Sequence, residues 1–258
     1  MKQFHFISGL PRSGSTMLSS ILKQNPNFHA GISSNLIALI RTCYEQMAQS
    51  AEFKTINSQQ TQKRILRGIF QNYYEDHAQP VIFDTNRLWT NMMYLTTELF
   101  PKSKFLICVR DILSIINSFE RMRNQNPLHI STVYPAHVDL NVYTRTQSIM
   151  EDGGVIGSPL QALKTAYCSE FRDKLFFIEY DQMCANPHGM MKAIYNFLEQ
   201  PPFAHDFNNI EDAYDEYDAA LNMPKLHHVR KKLAPQKKLI TLPPDIQERY
   251  QNLEFWRG

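Results

Sequence analysis

The residues best suited to chemistry near the start of the chain are two glycines, one arginine and a run of hydroxyls. Residues 9–16 read Gly-Leu-Pro-Arg-Ser-Gly-Ser-Thr. A short apolar segment precedes them and apolar residues at helical spacing follow, which predicts a strand, a tight loop and a helix. The first amides of such a helix point into the loop, and the helix dipole favours negative charge there. The pattern therefore predicts an anion site.

The position of the positive charge decides which anion the loop suits. Gly9 and Gly14 match the glycines of the nucleotide-binding pattern G-x-x-x-x-G-K-[ST], but Ser15 occupies the lysine position. A kinase or ATPase needs that lysine for its outer phosphates. The charge lies instead on Arg12, whose guanidinium can make a two-pronged contact with one phosphate. This favours a nucleotide whose leaving group is a 5′-phosphate. The predicted ligands are Arg12, Ser13, Gly14, Ser15 and Thr16.

Further segments follow in a characteristic order along most of the chain. Lys-Phe-Leu-Ile-Cys-Val-Arg-Asp stands at 104–111, Phe-Ile-Glu-Tyr-Asp-Gln-Met at 177–183, and His-His-Val-Arg-Lys-Lys at 227–232. Together with Pro-Arg-Ser-Gly-Ser-Thr, this series resembles the bacterial members of the sulfotransferase family that use 3′-phosphoadenosine 5′-phosphosulfate (PAPS). It is more distantly similar to the tyrosylprotein sulfotransferases. The resemblance implies a P-loop-like α/β fold.

The resemblance also implies which residues contact the nucleotide. It assigns the 5′-phosphosulfate to the Arg12 loop, the 3′-phosphate to Arg110 and Ser118, and the adenine to Tyr180. An arginine at the end of an apolar strand would neutralise the 3′-phosphate that distinguishes PAPS from ATP. Ser114 reaches an anion from its helix as easily as Ser118, and the family pattern selects Ser118. Tyr180 is equally well interpreted as a core tyrosine with a bonded hydroxyl.

A basic segment lies at residues 225–238. Its two adjacent histidines would point in opposite directions on an extended chain, which disfavours a metal site. The resemblance implies that the tail, residues 222–258, closes over the cofactor and that Arg230 and Lys231 contact it. A solvated charged surface is the competing interpretation.

The catalytic base departs from the family patterns. Transfer of a sulfuryl group needs a base for the acceptor proton and positive charge where the sulfonate passes in line. The resemblance implies either a histidine after the second strand or a glutamate soon after the phosphate loop. Residues 83–89 contain no histidine and residues 30–35 no carboxylate. We therefore assign Asp84 as the base and Arg87 as the group that screens the sulfonate. A purely structural Asp84 is nearly as well supported.

These observations favour a PAPS-dependent sulfotransferase that transfers a sulfuryl group in line to a hydroxyl or amine and releases adenosine 3′,5′-bisphosphate. Protein cations neutralise the charge, so no metal is expected. One alternative is an ATP-dependent P-loop phosphotransferase, because the apolar run before Asp84 resembles a magnesium-holding strand. Another is a non-catalytic nucleotide-binding module. The acceptor cannot be read from the sequence.

Composition sets the remaining expectations. The chain has 258 residues, of which 43% are apolar, which suits one α/β domain over residues 1–258. A net charge of +2 gives no reason to expect nucleic acid as a partner. Four scattered cysteines without a C-x-x-C pair favour reduced thiols and a cytoplasmic enzyme. No apolar run approaches the roughly eighteen residues of a membrane span. A homo-oligomer stays open.

Apolar runs between helical stretches predict a largely parallel central sheet with helices on both faces. Residues 127–160 are expected to form an irregular cap or substrate loop. Because open α/β sheets bind ligands at the carboxyl ends of their strands, one crevice should collect the candidate residues. The predicted strands cover residues 4–8, 81–84, 104–109 and 175–180, and the predicted helices cover residues 35–48, 59–76 and 159–172.

Overall fold

A five-stranded sheet forms the centre of the computed structural model, which describes residues 2–125, 133–134, 141–211, 218–219, 227–235 and 239–257. Its strands are β1 (Gln3–Gly9), β2 (Phe28–Ser33), β3 (Val81–Thr85), β4 (Phe105–Val109) and β5 (Leu175–Glu179). They lie in the order β2-β3-β1-β4-β5, and every neighbouring pair is parallel. All five carboxyl ends therefore meet at one edge, with the loop after β1 at its centre.

Helices connect the strands, as the right-handed crossovers of a parallel sheet require. In the described ranges they are α1 (Ser15–Leu22), α2 (Leu36–Gln49), α3 (Ala51–Ile56), α4 (Gln59–Tyr73), α5 (Met93–Leu99), α6 (Ile112–Gln125), α7 (Val142–Met150), α8 (Gly157–Tyr167), α9 (Tyr180–Ala185), α10 (Pro187–Leu198) and α11 (Pro244–Tyr250). Short 3₁₀ turns lie at Trp89–Met92, Arg172–Lys174 and Phe255–Arg257.

The sheet separates two apolar cores, and its alternating side chains enter both. In β1, Phe4 and Phe6 join one core while Ile7 joins the other. The first core is rich in aromatic rings: Phe6 lies 4.7 Å from Trp89 and 5.0 Å from Phe105, between ring centroids. Strand β4 is fully buried, as its continuous apolar sequence predicts.

The structure confirms the α/β class and the parallel sheet, but the predicted number of strands was wrong. Strand β2, Phe28–Ser33, was missed although its apolar residues Phe28, Ala30 and Ile32 alternate along six residues. The signal is short, its intervening positions include Gly31, and only Phe28 and Ala30 are buried. The strand forms at the sheet edge by pairing with β3.

The predicted cap is more regular than expected where the structure describes it. Helix α7 lies inside it, capped by Asn141, whose side chain accepts hydrogen bonds from the amides of Tyr143 and Thr144. Residues 127–132 and 135–140 of the predicted cap lie outside the described ranges, as do parts of the predicted tail.

A buried ion pair joins α6 to α7. The Nε and Nη2 atoms of Arg145 donate to the two carboxylate oxygens of Glu120 at 2.8 and 2.6 Å. Both side chains are less than one tenth exposed. Such a pair is sensitive to the loss of one partner, because the other charge then stays buried without compensation.

We expect Glu120→Ala to lower the free energy of unfolding by about 3–5 kcal/mol, because it removes the buried carboxylate to which Nε and Nη2 of Arg145 donate. The matched control is Glu45→Ala, which removes the exposed partner of Arg41 and should change it by about 0–1 kcal/mol. Urea unfolding measures both. Equal losses from the two variants would contradict the prediction.

Candidate active site

A cavity of about 360 Å³ lies at the carboxyl edge of the sheet. Segments that follow all five strands line it, together with helix α6 and the described tail. The lining includes Pro11, Ser33, Thr85, Arg110 and Tyr180, one from the end of each strand. This is the place where open parallel sheets bind ligands.

The loop after β1 adopts a left-handed backbone at three positions, two of which are glycines. Gly9, Arg12 and Gly14 have φ angles of 124°, 57° and 86°. A Cβ on Gly9 would lie 2.1 Å from the Cys108 carbonyl oxygen, and one on Gly14 would lie 2.4 Å from Cδ2 of Tyr180. Both positions therefore require glycine for conformation and for space. Gly14 caps α1, whose first amides face the loop.

Arg12 and Arg110 lie side by side in the cavity. The Arg12 Nε donates to the Ser118 hydroxyl at 3.2 Å. Nη1 of Arg110 lies 3.4 Å from the Arg12 carbonyl oxygen, and its guanidinium covers the Tyr180 ring at 4.7 Å from the centroid. The structure thus brings together four residues that are distant in sequence and that the resemblance assigned to one nucleotide.

The cavity lining is strongly cationic. Among the described residues that line it there are five arginines and no Asp or Glu. Burial lowers the pKa of Arg12 to about 10, and the charges of Arg110 and Arg121 add to this effect. An anion in the cavity would relieve this repulsion, so the lining is built for negative charge. The arginines are Arg12, Arg87, Arg110, Arg121 and Arg230.

Two polar atoms of the lining lack a hydrogen-bond partner within the described chain. They are the buried Nε of Arg110 and the buried hydroxyl of Ser114. Buried polar groups in native proteins are nearly always satisfied, so each marks a place for a ligand or water. Because Ser118 is already bonded to Arg12, Ser114 is the better placed of the two serines for an added anion.

Most of the residues predicted from the sequence reach the cavity. Ser13 does not line it, and its buried hydroxyl donates to the Pro11 carbonyl at 3.3 Å. Lys231 is exposed and does not line it. The predicted residues that do are Arg12, Gly14, Ser15, Thr16, Arg87, Arg110, Ser118, Tyr180 and Arg230.

Asp84 contradicts the prediction of a catalytic base. It is fully buried and does not line the cavity. Its carboxylate accepts hydrogen bonds from the Ser34 hydroxyl at 2.7 and 2.9 Å, from the Tyr74 phenol at 2.5 Å and from the Trp89 indole at 2.6 Å. Burial raises the pKa of Asp84, and the three donors oppose that shift. Asp84 therefore links β3 to Ser34, Tyr74 and Trp89 in the core.

Helix α6 contributes two polar cavity residues, Asn117 and Arg121, that the sequence prediction missed. Arg121 lies three residues after Ser118 and seven after Ser114, so helical periodicity places it on their face. That spacing was the available signal. Asn117 also lines the cavity, and its side chain holds the tail: its Oδ1 accepts from the amide of Thr241 at 2.9 Å and its Nδ2 donates to the Leu239 carbonyl at 2.8 Å.

The described tail is anchored at several points and reaches the cavity. Glu254 accepts from the first amide of α6 at 2.8 Å, and the Trp256 indole donates to Glu179 at 2.9 Å. The tail residues that line the cavity precede these anchors in the chain. They are His227, His228, Val229, Arg230, Leu239 and Ile240.

The described residues show neither a metal cluster nor a membrane-spanning helix. They contain no group of three or more His, Cys, Asp or Glu side chains that could hold a metal ion. Every helix in the described ranges is too short or too polar to cross a bilayer.

Comparison with known proteins assigns the family. Residues 5–205 match the model of the sulfotransferase family, and the chain therefore belongs to that family. This supports the sulfotransferase prediction over the phosphotransferase.

Curated relatives include protein-tyrosine sulfotransferase 1 of Danio rerio, 24% identical over 76% of this chain and 53% of that protein. Protein-tyrosine sulfotransferase 2 of Gallus gallus is 25% identical over 75% of this chain and 50% of that protein. The chain thus spans about half the length of these curated relatives.

Solved structures share the fold. The sulfotransferase domain from the curacin biosynthetic pathway superposes with a TM-score of 0.53 at 18% identity, covering 79% of this chain and 76% of that one. Sulfotransferase STF9 from Mycobacterium avium gives a TM-score of 0.52 at 13% identity, covering 96% and 75%. At these identities the likeness concerns the fold alone.

We expect Asp84→Asn to lower the free energy of unfolding by about 2 kcal/mol, since an amide presents a donor to groups that already donate. Affinity for adenosine 3′,5′-bisphosphate should not change, because the side chain lies outside the cavity. In the double variant with Tyr74→Phe, which removes one of those donors, part of the loss should be recovered. Thermal unfolding and calorimetry measure these effects. A variant with normal stability and binding but no turnover would restore Asp84 as the base.

Proposed function

We propose that this chain transfers the sulfuryl group of PAPS to a hydroxyl or amine acceptor and releases adenosine 3′,5′-bisphosphate. The observation that carries the proposal is the shared cavity of Arg12 and Arg110, lined by five arginines and, among the described residues, by no carboxylate. A nucleotide phosphorylated at both the 5′ and 3′ positions requires cations at two places within one cleft. Family membership supports the same reaction.

The loop residues suit the 5′ end of the nucleotide. Arg12, Ser15 and Thr16 surround the start of α1, where amides and dipole favour a phosphate. As the bond between sulfur and the 5′-phosphate oxygen breaks, its electron pair stays on the phosphate. Arg12 and the loop amides would stabilise that charge without any rearrangement. Arg87, on the same wall after β3, would screen the sulfonate.

The Arg110 side of the cavity suits the 3′-phosphate. The unpartnered Nε of Arg110 and hydroxyl of Ser114 are the donors that such a phosphate would satisfy, with Ser118 beside them. Tyr180 packs between Gly14 and Arg110, which suits a neighbouring adenine. Arg230 adds a cation from the tail.

The acceptor is proposed only as a class. The names of the curated relatives specify protein tyrosine for those proteins, which supports a hydroxyl acceptor here. Carbohydrate, alcohol, phenol and peptide tyrosine remain the candidates. Cytoplasmic location and homo-oligomerisation stay predictions from the sequence.

The two phosphate positions can be separated by comparing ligands. We expect Arg110→Met to lower the affinity for adenosine 3′,5′-bisphosphate by about 10–100-fold, because the 3′-phosphate loses one charged hydrogen-bond partner. Its affinity for AMP, which lacks the 3′-phosphate, should change little. Arg12→Met should lower the affinity for both ligands, because both carry the 5′-phosphate. Isothermal titration calorimetry measures each value.

Arg41→Met is the matched control, since Arg41 is exposed on α2 and does not line the cavity. It should leave both affinities unchanged. A wild-type preference for ATP with magnesium would contradict the proposed function. Equal effects of Arg110→Met on the two ligands would contradict the assignment of the 3′-phosphate.

A further inference from the structure

A histidine in the described part of the tail and a carboxylate just before the tail form a tight pair beside the cavity. His227 lines the cavity, and Asp218 is 2% exposed. The ring Nδ1 of His227 lies 2.6 Å from one carboxylate oxygen of Asp218, and the amide of His227 donates to the other at 2.9 Å. Both oxygens of the Asp218 carboxylate therefore contact His227, and these two contacts fix the position and orientation of the imidazole.

This contact selects the tautomer of the ring. A carboxylate accepts hydrogen bonds, so Nδ1 carries the hydrogen and Nε2 carries the lone pair. The same carboxylate stabilises the imidazolium that forms when Nε2 takes a proton. This is the arrangement by which a histidine acts as a base in hydrolytic triads.

Burial and nearby positive charges keep the His227 imidazole neutral. Burial lowers the pKa of His227, the Asp218 carboxylate opposes this, and the positive charges of Arg12 and Arg87 lower it further. The net direction is downward, so the imidazole is unprotonated at neutral pH. Arg12 and Arg87 are the residues proposed for the 5′-phosphate and the sulfonate.

The other described residues of the lining are poorer bases. They include no Asp, Glu, Lys or Cys. Burial raises the pKa of Tyr180 by more than the charges of Arg230 and Arg110 lower it, so its phenol stays protonated. His228 is exposed, and Asp218 holds its neighbour instead.

We propose that His227 is the general base of the sulfuryl transfer and that Asp218 is its positioning residue. The proposal rests on the proposed function. The acceptor proton passes to Nε2 of His227 while the acceptor oxygen or nitrogen forms its bond to sulfur. The bond from sulfur to the 5′-phosphate oxygen breaks, and its electron pair leaves with adenosine 3′,5′-bisphosphate. Solvent then takes the proton from the imidazolium.

The test uses His227→Asn, because the asparagine amide can keep the hydrogen bond to Asp218 while Nε2 is lost. With PAPS and a tyrosine-containing peptide, whose phenol has a pKa of about 10, kcat should fall by about 10²–10⁴-fold. With 4-nitrophenol at a pH where it is ionised, the loss should be much smaller, since no proton needs to be removed. Affinity for adenosine 3′,5′-bisphosphate should be unchanged.

Ring ¹⁵N spectra provide a readout that does not depend on the acceptor. In the wild type His227 should show the Nδ1–H tautomer and titrate below the ordinary histidine range. Asp218→Asn should change that tautomer and lower kcat, whereas a merely structural carboxylate would leave the ring signature unaltered. A wild-type ring with hydrogen on Nε2 at neutral pH would overturn the proposal.

The controls separate the base from its surroundings. His188→Asn alters an exposed histidine on α10 outside the cavity lining and should leave kcat unchanged. Full turnover of the peptide by His227→Asn, or a loss that follows His228→Asn instead, would overturn the role of His227 alone. A wild-type chain that does not bind adenosine 3′,5′-bisphosphate would overturn the proposed function itself.

Discussion

Repulsion among the arginines at the carboxyl edge of the sheet is the constraint around which the site is built. Burial lowers the pKa of Arg12, and the nearby charges of Arg110 and Arg121 lower it further. The parallel sheet brings Arg12 and Arg110 together because both follow neighbouring central strands, β1 and β4. A fold that gathers several cations in one cleft is prepared to attract a dianionic phosphate.

The buried polar clusters away from the cavity have the opposite character, because each is satisfied internally. Three donors surround the carboxylate of Asp84, and the Arg145 guanidinium grips Glu120 with two bonds. These groups fix β3, which Arg87 follows, and α6, which carries Ser114 and Ser118. The unpartnered atoms of Arg110 and Ser114 differ from these clusters because their residues line the cavity, where a ligand can reach them.

The sequence predicts the fold and the cationic end of the site because the signals for both are local. A strand, a glycine loop and a helix occupy one short segment, and helical spacing relates Ser114 to Ser118. Asp84 was misassigned because position at a strand end does not reveal which face a side chain takes. The aromatic core that receives it includes Tyr74 and Trp89 from other elements. Strand β2 was missed because its alternation of Phe28, Ala30 and Ile32 is short, and its pairing with β3 is not visible in the sequence.

The pair of Asp218 and His227 could not be predicted for a different reason, which bears on how the site works. The imidazole belongs to the tail and the carboxylate to the chain just before it, rather than to the sheet. Backbone hydrogen bonds from the Ile210 amide to Lys231 and from the Leu233 amide to Phe207 hold this part of the tail against the body of the protein. In the proposed reaction, nucleotide recognition resides in the sheet edge, while proton acceptance resides in a segment outside the sheet. This division would let a chain with no histidine in residues 83–89 and no carboxylate in residues 30–35 meet both requirements of in-line transfer. The arginines of the sheet edge would neutralise the departing phosphate, and the neutral His227 would accept the proton of the acceptor.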